Sequence, residues 1–284
     1  MITTMPISLS ILAAGYCLHP ERLTMRGGSF RPVAFPAGYA LIKHPLFGPI
    51  LFDTGYSARF FQETAKFPDA LYRHITPVVY QEEDSAANRL REAGIAAEEV
   101  RYVVLSHFHA DHIGGVRDFP NAQFIYLQKS YDAVSSLGKI KALRAGFLPG
   151  LLPDDFLKRS LPVGAASMKR GFEPGFLLTE AYDLLGDGSM LAVELSGHAA
   201  GMIGVFVSTA EHDYLLCADT VWSSRAFREN RKPHPAAGLI MDNRADYARN
   251  FELLRQLHEQ FPQIRIVPSH CRDALATWGT GGGQ

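Results

Sequence analysis

The sequence predicts an α/β protein in which two sheets face each other and helices cover their outer surfaces, an αβ/βα sandwich. Two observations favour this class. The chain has 284 residues of which 47% are hydrophobic, enough to bury a large core. Short runs of β-branched and aromatic residues recur in both halves, and each half also carries a segment with helical spacing of its apolar residues.

The first half is predicted to contain strands and one helix. An apolar run from Ile7 to Leu18 has no basic region before it, so we interpret it as a strand rather than a signal peptide. A helix is predicted over Asp84–Gly94, where alanine and leucine recur at helical spacing and a glycine closes the segment. Further strands are predicted over Pro32–Lys43, Pro49–Phe52, Arg101–Leu105 and Ala122–Leu127.

Residues 129–180 differ from both halves and are predicted to form a helical insertion. Helices are expected over Lys129–Leu143 and Asp154–Ser160, on either side of a stretch rich in proline and glycine. The apolar content of this segment fits a lid over a neighbouring site that binds an apolar group. It fits equally a surface for a second copy of the chain, so a homodimer is the alternative.

The second half repeats the strand-and-helix pattern in outline. A helix is predicted over Asp246–Phe261, ending before Pro262. We predict one domain over residues 1–278 and a flexible, glycine-rich tail over residues 279–284. Strands are predicted over Met190–Leu195, Ile203–Ser208, Tyr214–Ala218 and a run that begins at Ile264.

Composition excludes several classes of partner. The net charge is −1 and no basic run is present, which argues against nucleic acid as a ligand. No apolar run approaches the roughly 20 residues that span a bilayer, so no membrane association is expected. The three cysteines cannot all pair, and we interpret them as reduced thiols of a cytoplasmic protein.

The stretch from Ser106 to Gly115 carries the strongest chemical signal. It places three imidazoles and a carboxylate within six residues directly after a predicted buried strand. Neutral imidazole and carboxylate suit zinc and its first-row neighbours. One metal ion needs three or four protein ligands, so these four side chains can begin two sites but need further ligands. The four are His107, His109, Asp111 and His112.

Three later residues are candidates for the missing ligands. His198 lies in a small-residue turn, whereas Asp219 and His270 each follow an apolar strand. Each alone is better explained as a turn, cap or structural residue, but the upstream cluster requires partners, and strand ends hold ligands rigidly. Cys271 beside His270 is better explained by packing than by ligation, and His234 by a surface loop.

These residues, in this order, resemble the metallo-β-lactamase superfamily, and Leu51–Gly55 resembles the early strand and turn of that fold. The similarity spans about residues 35–272. It implies the metallo-β-lactamase fold and two divalent metal ions, with zinc as the default and manganese, iron or cobalt as alternatives. Asp53 would orient a ligand from outside the coordination sphere, or else be a plain turn residue. The resemblance implies a first ligand set of His107, His109 and His198, a second set of Asp111, His112 and His270, and Asp219 as a bridge.

Within the superfamily the chain most resembles the N-acyl homoserine lactonase-like hydrolases, in length, ligand spacing and the segment from Gly15 to Cys17. Those enzymes commonly carry a tyrosine three residues after the bridging aspartate, placed to contact the substrate carbonyl. Here that residue is Trp222, whose indole only donates a hydrogen bond and cannot transfer a proton as a phenol does. Phe108, Trp222 and Tyr72 are candidate walls for a small substrate with an apolar portion.

The implied reaction is attack of a metal-bridging hydroxide on a lactone or carboxylic ester, with Asp219 and Asp111 as the catalytic carboxylates and Asp111 returning the proton. Alternatives are a phosphotriester or phosphodiester hydrolase and a thioester hydrolase of the glyoxalase II type. Alternatives of other classes are a mononuclear iron persulfide dioxygenase and a metal-binding sensor.

Overall fold

The computed structural model describes residues 6–279, and two mixed sheets with helices on their outer faces make up its architecture, as the sequence predicts. The first sheet has seven strands in the order β4-β1-β2-β3-β5-β6-β7. Strands β3, β5, β6 and β7 run parallel to one another, and the other pairs are antiparallel. The strands are β1 (Ser8–Pro20), β2 (Pro32–His44), β3 (Gly48–Phe52), β4 (Val78–Val79), β5 (Tyr102–Val104), β6 (Gln123–Leu127) and β7 (Ser160–Val163).

The second sheet has six strands in the order β13-β12-β11-β10-β9-β8. Only β12 and β13 are parallel, so their carboxyl ends lie at the same edge. The strands are β8 (Lys169–Gly171), β9 (Glu180–Asp183), β10 (Met190–Glu194), β11 (Ile203–Ser208), β12 (Asp213–Ala218) and β13 (Ile264–Pro268).

The helices are short, apart from one in the second half that matches its prediction closely. Asn243 caps the amino end of that helix by accepting hydrogen bonds from the Ala245 and Asp246 amides. The α-helices are α1 (Glu21–Thr24), α2 (Ala58–Glu63), α3 (Ala70–Ile75), α4 (Ala86–Glu92), α5 (Ala110–Ile113), α6 (Gln128–Ser135), α7 (Lys139–Arg144), α8 (Ser224–Arg228), α9 (Arg244–Gln260) and α10 (Arg272–Trp278).

Strand β2 has buried side chains on both faces of the first sheet, and these belong to two separate hydrophobic cores. Successive side chains of a strand point to opposite faces. Ala40 and Ile42 join the core that contains the second sheet, whereas Tyr39 and Leu41 join the core under the outer helices of the first sheet. This near-continuous apolar pattern is expected for a strand that is covered on both faces.

The segment predicted as a helical insertion over residues 129–180 is helical only in its first part. The predicted helix from Lys129 to Leu143 is two helices, α6 and α7, separated at residues 136–138 where Gly138 disfavours a continuous helix. A 3-10 helix over Phe156–Arg159 replaces the second predicted helix, Asp154–Ser160. Beyond it the chain enters β7 and β8, so the helical character predicted for the insertion ends near residue 160, and strand pairing decides the structure after that point.

Three further predictions concern the ends and the cysteines. The run beginning at Ile7 forms β1, as predicted. Of the tail predicted from residue 279, Gly279 pairs with Ile11 in an isolated β-bridge, and residues 280–284 lie outside the described residues. All three cysteines are free and buried, and Cys271 accepts hydrogen bonds from the Ser224 and Ala274 amides. Within residues 6–279, no helix is both long and apolar enough to cross a bilayer.

Candidate metal centre

The candidate centre lies where strands of both sheets end. Strand β5 of the first sheet leads into the loop that carries the histidine cluster, and β12 and β13 of the second sheet lead into Asp219 and His270. The Ile203 amide donates to the Ser106 carbonyl across 3.0 Å, which joins the cluster loop to the second sheet. His198 lies in the β10–β11 turn beside this junction.

The structure brings the first predicted ligand set together. One ligand atom of each of His107, His109 and His198 lies within 4.8 Å of the others. His198 Nε2 is 2.9 Å from His109 Nδ1. The ring centroids of His107 and His109 are 4.4 Å apart. Three imidazoles at this separation have the donor type and spacing that suit one transition-metal ion.

The second predicted set is also assembled. Asp111, His112 and His270 each offer an atom within the same 4.8 Å limit. His270 Nε2 is 3.4 Å from Asp111 Oδ2, and the rings of His112 and His270 lie at 83° to each other. One carboxylate and two imidazoles form a ligand set that divalent first-row metal ions accept.

Asp219 lies between the two sets. Its Oδ2 is 3.3 Å from His198 Nε2 in the first set and 3.0 Å from His270 Nε2 in the second. Its Oδ1 is 3.4 Å from His112 Nε2. Asp219 also forms a third close group with His107 and His112. This carboxylate therefore has the position that a bridge between two ions requires.

The buried polar atoms of the site fit metal ions. Among the described residues, six buried side-chain nitrogen or oxygen atoms have no hydrogen-bond partner. Since an unsatisfied buried polar atom is costly, a concentration of them indicates missing partners. Three of the six face the other candidate ligands: His107 Nε2, His112 Nε2 and Asp219 Oδ1. A fourth, His198 Nδ1, is the ring nitrogen other than the Nε2 atom that lies near His109 and Asp219.

A fixed shell of hydrogen bonds orients the rings. Asp53 is fully buried, and its Oδ2 accepts from His112 Nδ1 at 2.8 Å and from Ser106 Oγ at 2.7 Å. Ser106 Oγ in turn lies 3.0 Å from His107 Nδ1. His270 Nδ1 donates to the Pro36 carbonyl across 2.7 Å. Each contact turns Nε2 of the ring toward the centre, which is the usual arrangement around ligating histidines.

Asp53 holds an unusual backbone conformation, with φ of 60°. Non-glycine residues adopt this left-handed region only where other contacts fix them. The Asp53 amide donates to the Val104 carbonyl, and its side chain accepts from the Ser106 amide at 2.8 Å. The hydrogen bonds that fix this backbone conformation also hold the Asp53 carboxylate against Nδ1 of His112.

The charges of the site divide its histidines into two groups. Burial, followed by repulsion from neighbouring imidazoles, lowers the pKa of His107 and His109 well below the usual value, and burial also lowers the pKa of His198. Burial opposes protonation of His112 and His270 too, but the surrounding carboxylates outweigh it. They raise the pKa of His112 well above its usual value and that of His270 to about 8.

Phe108 was predicted as a wall for the substrate, and the structure places it in the core instead. Its side chain is 2% exposed. The ring packs against Tyr126, Tyr131 and Phe147 with centroids 5.2, 5.4 and 6.1 Å away. The cluster loop is extended here, so its side chains alternate: the histidines on either side face the metal centre and Phe108 faces away.

The other two predicted walls border the centre. Tyr72 on α3 is half-buried, and its ring packs against Phe60 with centroids 5.4 Å apart. Burial and then the Asp111 charge raise the pKa of the Tyr72 phenol, which places the phenol near that carboxylate. Trp222 is 6% exposed and packs edge-on against His198, with 5.4 Å between ring centroids.

Residues near the centre that sequence reasoning missed come from the end of β1 and the turn after β3. Burial raises the pKa of the Cys17 thiol and the Tyr56 phenol, and the Asp111 charge adds to both shifts. Burial lowers the pKa of His19, and the Asp111 charge offsets only part of this shift. A signal was available, because the Gly15–Cys17 segment contributes to the family resemblance. That segment carried no pattern that would assign a role to Cys17, Tyr56 or His19.

Comparison with known proteins agrees with this geometry. The family model of the metallo-β-lactamase superfamily matches residues 48–270, and the chain belongs to that superfamily. The N-acyl homoserine lactonase AttM of Azorhizobium caulinodans is 26% identical over 266 residues, covering 89% of each chain. A probable metallo-hydrolase of Mycobacterium tuberculosis is 26% identical over 251 residues, covering 83% of this chain and 76% of its own length.

Solved structures share the fold. An N-acyl homoserine lactone hydrolase with the product N-hexanoyl-L-homoserine at its catalytic metal centre has a TM-score of 0.71 and 19% identity, with 97% of each chain covered. The dizinc quorum-quenching lactonase AidC has a TM-score of 0.65 and 20% identity, covering 95% of this chain and 90% of its own. The predicted fold and the predicted class, a metal-dependent hydrolase related to lactonases, are confirmed.

Proposed function

We propose that this protein uses two divalent metal ions, zinc by default, to open a lactone or cleave a carboxylic ester. The observation that carries the proposal is the position of Asp219, whose Oδ2 lies 3.3 Å from His198 in one ligand set and 3.0 Å from His270 in the other. The two ligand sets and Asp219 would hold such a pair of ions, which would supply an activated water at neutral pH and Lewis acidity toward the substrate carbonyl.

The chain's own contribution is to hold the ligands before the substrate arrives. Asp53 and the Pro36 carbonyl fix the rings of His112 and His270 through their Nδ1 atoms at 2.8 and 2.7 Å. Because these contacts are buried, the ligand geometry needs little rearrangement during the reaction. A metal site binds its ion tightly when surrounding residues hold the ligands in the required geometry beforehand.

Asp111 is the residue that we propose returns a proton to the leaving oxygen. It is a carboxylate at the opening of the centre, half-buried while Asp219 is buried. Its Oδ2 is 3.4 Å from His270 Nε2 of the same ligand set. Asp219 is less suited to this role, because it is buried between the two ligand sets, with Oδ2 3.3 Å from His198 Nε2 and 3.0 Å from His270 Nε2.

The substrate class is supported by the relatives and by the apolar residues around the centre. AttM and the solved hydrolase with bound product are both named for N-acyl homoserine lactones, which combine a lactone with an acyl chain. The loop before α9 joins the His198 turn through a 3.1 Å hydrogen bond from the Asp242 amide to the His198 carbonyl. Leu239 and Ile240 of that loop are exposed, as is Leu71 beside Tyr72. We propose a small substrate with an apolar portion.

The alternatives differ in the number of metal ions or in the bond cleaved. A mononuclear dioxygenase needs one ligand set, whereas this chain assembles two. A metal-binding sensor would use the same ligands, so turnover of a substrate is what separates it from the proposed hydrolase. Phosphotriester, phosphodiester and thioester hydrolysis would use the same two sets, so substrate trials must separate them.

The test is a substrate panel with metal-replete protein: an acyl homoserine lactone, an aryl ester, a thioester, a phosphodiester and a phosphotriester. We expect the lactone or the ester to be the best substrate, and His109→Ala to abolish turnover while the protein stays folded. His212→Ala is the matched control, because His212 precedes β12 at the end opposite Asp219. Near-normal turnover by metal-replete His109→Ala protein, or preference for a phosphotriester, would contradict the proposal.

A further inference from the structure

Trp222 follows the candidate bridge Asp219 by three residues, and it is predicted from the sequence as a wall of the substrate site. It is one of two tryptophans in the chain. In this structure the indole is 6% exposed. A residue that donates a hydrogen bond to a substrate needs accessible surface and a free donor, and Trp222 has little of the first and lacks the second.

The indole N–H is already engaged. Trp222 Nε1 donates to Asp219 Oδ2 across 3.1 Å. This is the same oxygen that lies 3.3 Å from His198 Nε2 and 3.0 Å from His270 Nε2. The indole has one donor and no acceptor, so a hydrogen bond to Asp219 leaves nothing to offer a substrate carbonyl.

The ring holds the neighbouring ligand in place. The planes of Trp222 and His198 are at 88°, with 5.4 Å between centroids. On another side Trp222 packs against Tyr247 of α9, with centroids 5.9 Å apart and planes at 31°. The indole is therefore held by the second sheet's outer helix and contacts two candidate ligands from different loops.

We infer that Trp222 is a positioning residue: its N–H fixes the carboxylate of Asp219, its ring edge fixes His198, and it acts on metal binding rather than on the substrate. The inference rests on the proposed two-metal centre. It also means that position 222 of this chain gives the substrate carbonyl no hydrogen-bond donor.

The first experiment uses fluorescence. Trp278→Phe makes Trp222 the only tryptophan, and metal-free protein is then titrated with Co²⁺, a paramagnetic quencher. We expect emission to fall in step with the metal bound, because the indole contacts two ligands. Trp222→Phe is the matched variant, in which the remaining Trp278 should keep its emission. Unquenched Trp222 in protein that has bound two equivalents of Co²⁺ would overturn the inference.

The second experiment separates the N–H from the ring. Replacing Trp222 with 3-benzothienylalanine keeps the ring shape and removes the donor, so folding is preserved. We expect metal affinity to fall about 10- to 100-fold, the usual effect of losing a hydrogen bond to a ligand. KM for the best substrate should stay unchanged at saturating metal. A raised KM with unchanged metal affinity would instead show that position 222 contacts the substrate.

These results stay distinct from a failure of the proposed function. If the unmodified protein binds two metal ions but hydrolyses none of the panel, the function is wrong while the fluorescence and affinity effects still test Trp222. If the unmodified protein hydrolyses its substrate and the protein with 3-benzothienylalanine at position 222 binds metal as tightly as the unmodified protein, the function stands and the inference about Trp222 is wrong.

Discussion

At the scale of single residues, the two ligand sets differ in protonation before any metal binds. The pKa values of His107, His109 and His198 are lowered, so these imidazoles are neutral at pH 7. The pKa values of His112 and His270 are raised, the latter to about 8, so these two carry protons at pH 7. A metal ion binds only the deprotonated imidazole.

The first prediction follows from this difference. We expect the ion at the first set to bind with little proton release, and the ion at the second set to displace protons from His112 and His270. Affinity at the second set should therefore rise as the pH is raised through about 8 and weaken as it falls. Calorimetric titration in buffers of different ionisation enthalpy measures the protons released. Equal release for both ions, or affinity that rises in acid, would contradict this account.

The second prediction concerns Phe108 as a core residue. Phe108→Ala should lower the free energy of unfolding by about 3–5 kcal/mol, because it leaves a cavity among buried aromatic rings. Phe108→Leu should cost less and leave KM unchanged. Denaturant unfolding of metal-loaded protein and steady-state kinetics check both statements. A large rise in KM with unchanged stability would restore Phe108 as a wall of the substrate site.

The residue scale also shows what the sequence can and cannot predict. The candidate ligands were identifiable because histidine and aspartate at close spacing after a strand have few explanations besides metal binding. The direction of Phe108 depends on the extended conformation of the cluster loop. The partner of Trp222 depends on how the turn after β12 folds, and no local pattern encodes that turn.

At the scale of elements, a glycine in the segment between α6 and the 3-10 helix at Phe156–Arg159 contacts the centre. The Ala110 amide donates to the Gly146 carbonyl across 3.0 Å. A Cβ at Gly146 would lie 2.8 Å from His109 Cδ2, and the backbone φ there is +66°. The turn after α7 thus packs directly on a ligand of the first set.

The third prediction uses this contact. Gly146→Ala should displace His109 and weaken binding at the first ligand set about 10- to 100-fold. Gly94→Ala is the matched control, because Gly94 also has a positive φ, of +74°, but a Cβ there meets no atom within 4 Å. Metal affinity and thermal unfolding are measured for both variants. Equal loss of metal affinity in the two would show that backbone strain, not contact with His109, is responsible.

Element prediction succeeded where amphipathic or apolar patterns were long. Helix α9 and strands β1 and β2 follow such patterns, so their positions were close to those predicted. Strands β4 and β8 have two and three residues, and β7 contains a proline, so their pairing depends on neighbours rather than on their own sequence. That dependence is why strands β7 and β8 were not predicted and their residues were included in the helical insertion.

At the scale of the whole molecule, the candidate ligands come from both sheets. The histidine cluster follows β5 of the first sheet, whereas His198, Asp219 and His270 follow strands of the second. Metal ions bound here would join the two halves of the sandwich. The fold class itself was predictable, because recurrent strands followed by helices in each half leave few other ways to bury two apolar faces.

The fourth prediction is that metal removal destabilises the whole fold. Binding to the native state alone contributes roughly 4 kcal/mol when the free metal concentration is about a thousand times Kd. Chelation should therefore lower the unfolding temperature in one cooperative transition, and added Zn²⁺ should restore it. Scanning calorimetry measures both. Asp219→Ala protein should respond much less, and an unfolding temperature that ignores metal in the unmodified protein would count against the centre.

The central claim is that seven side chains from two sheets form one centre for two metal ions, and direct metal analysis tests it most plainly. Purified, metal-replete protein should contain two equivalents of a divalent transition metal per chain. Asp219→Ala protein should contain markedly less, because Asp219 lies between both ligand sets. A single iron equivalent, or only trace metal in folded protein, would contradict the claim.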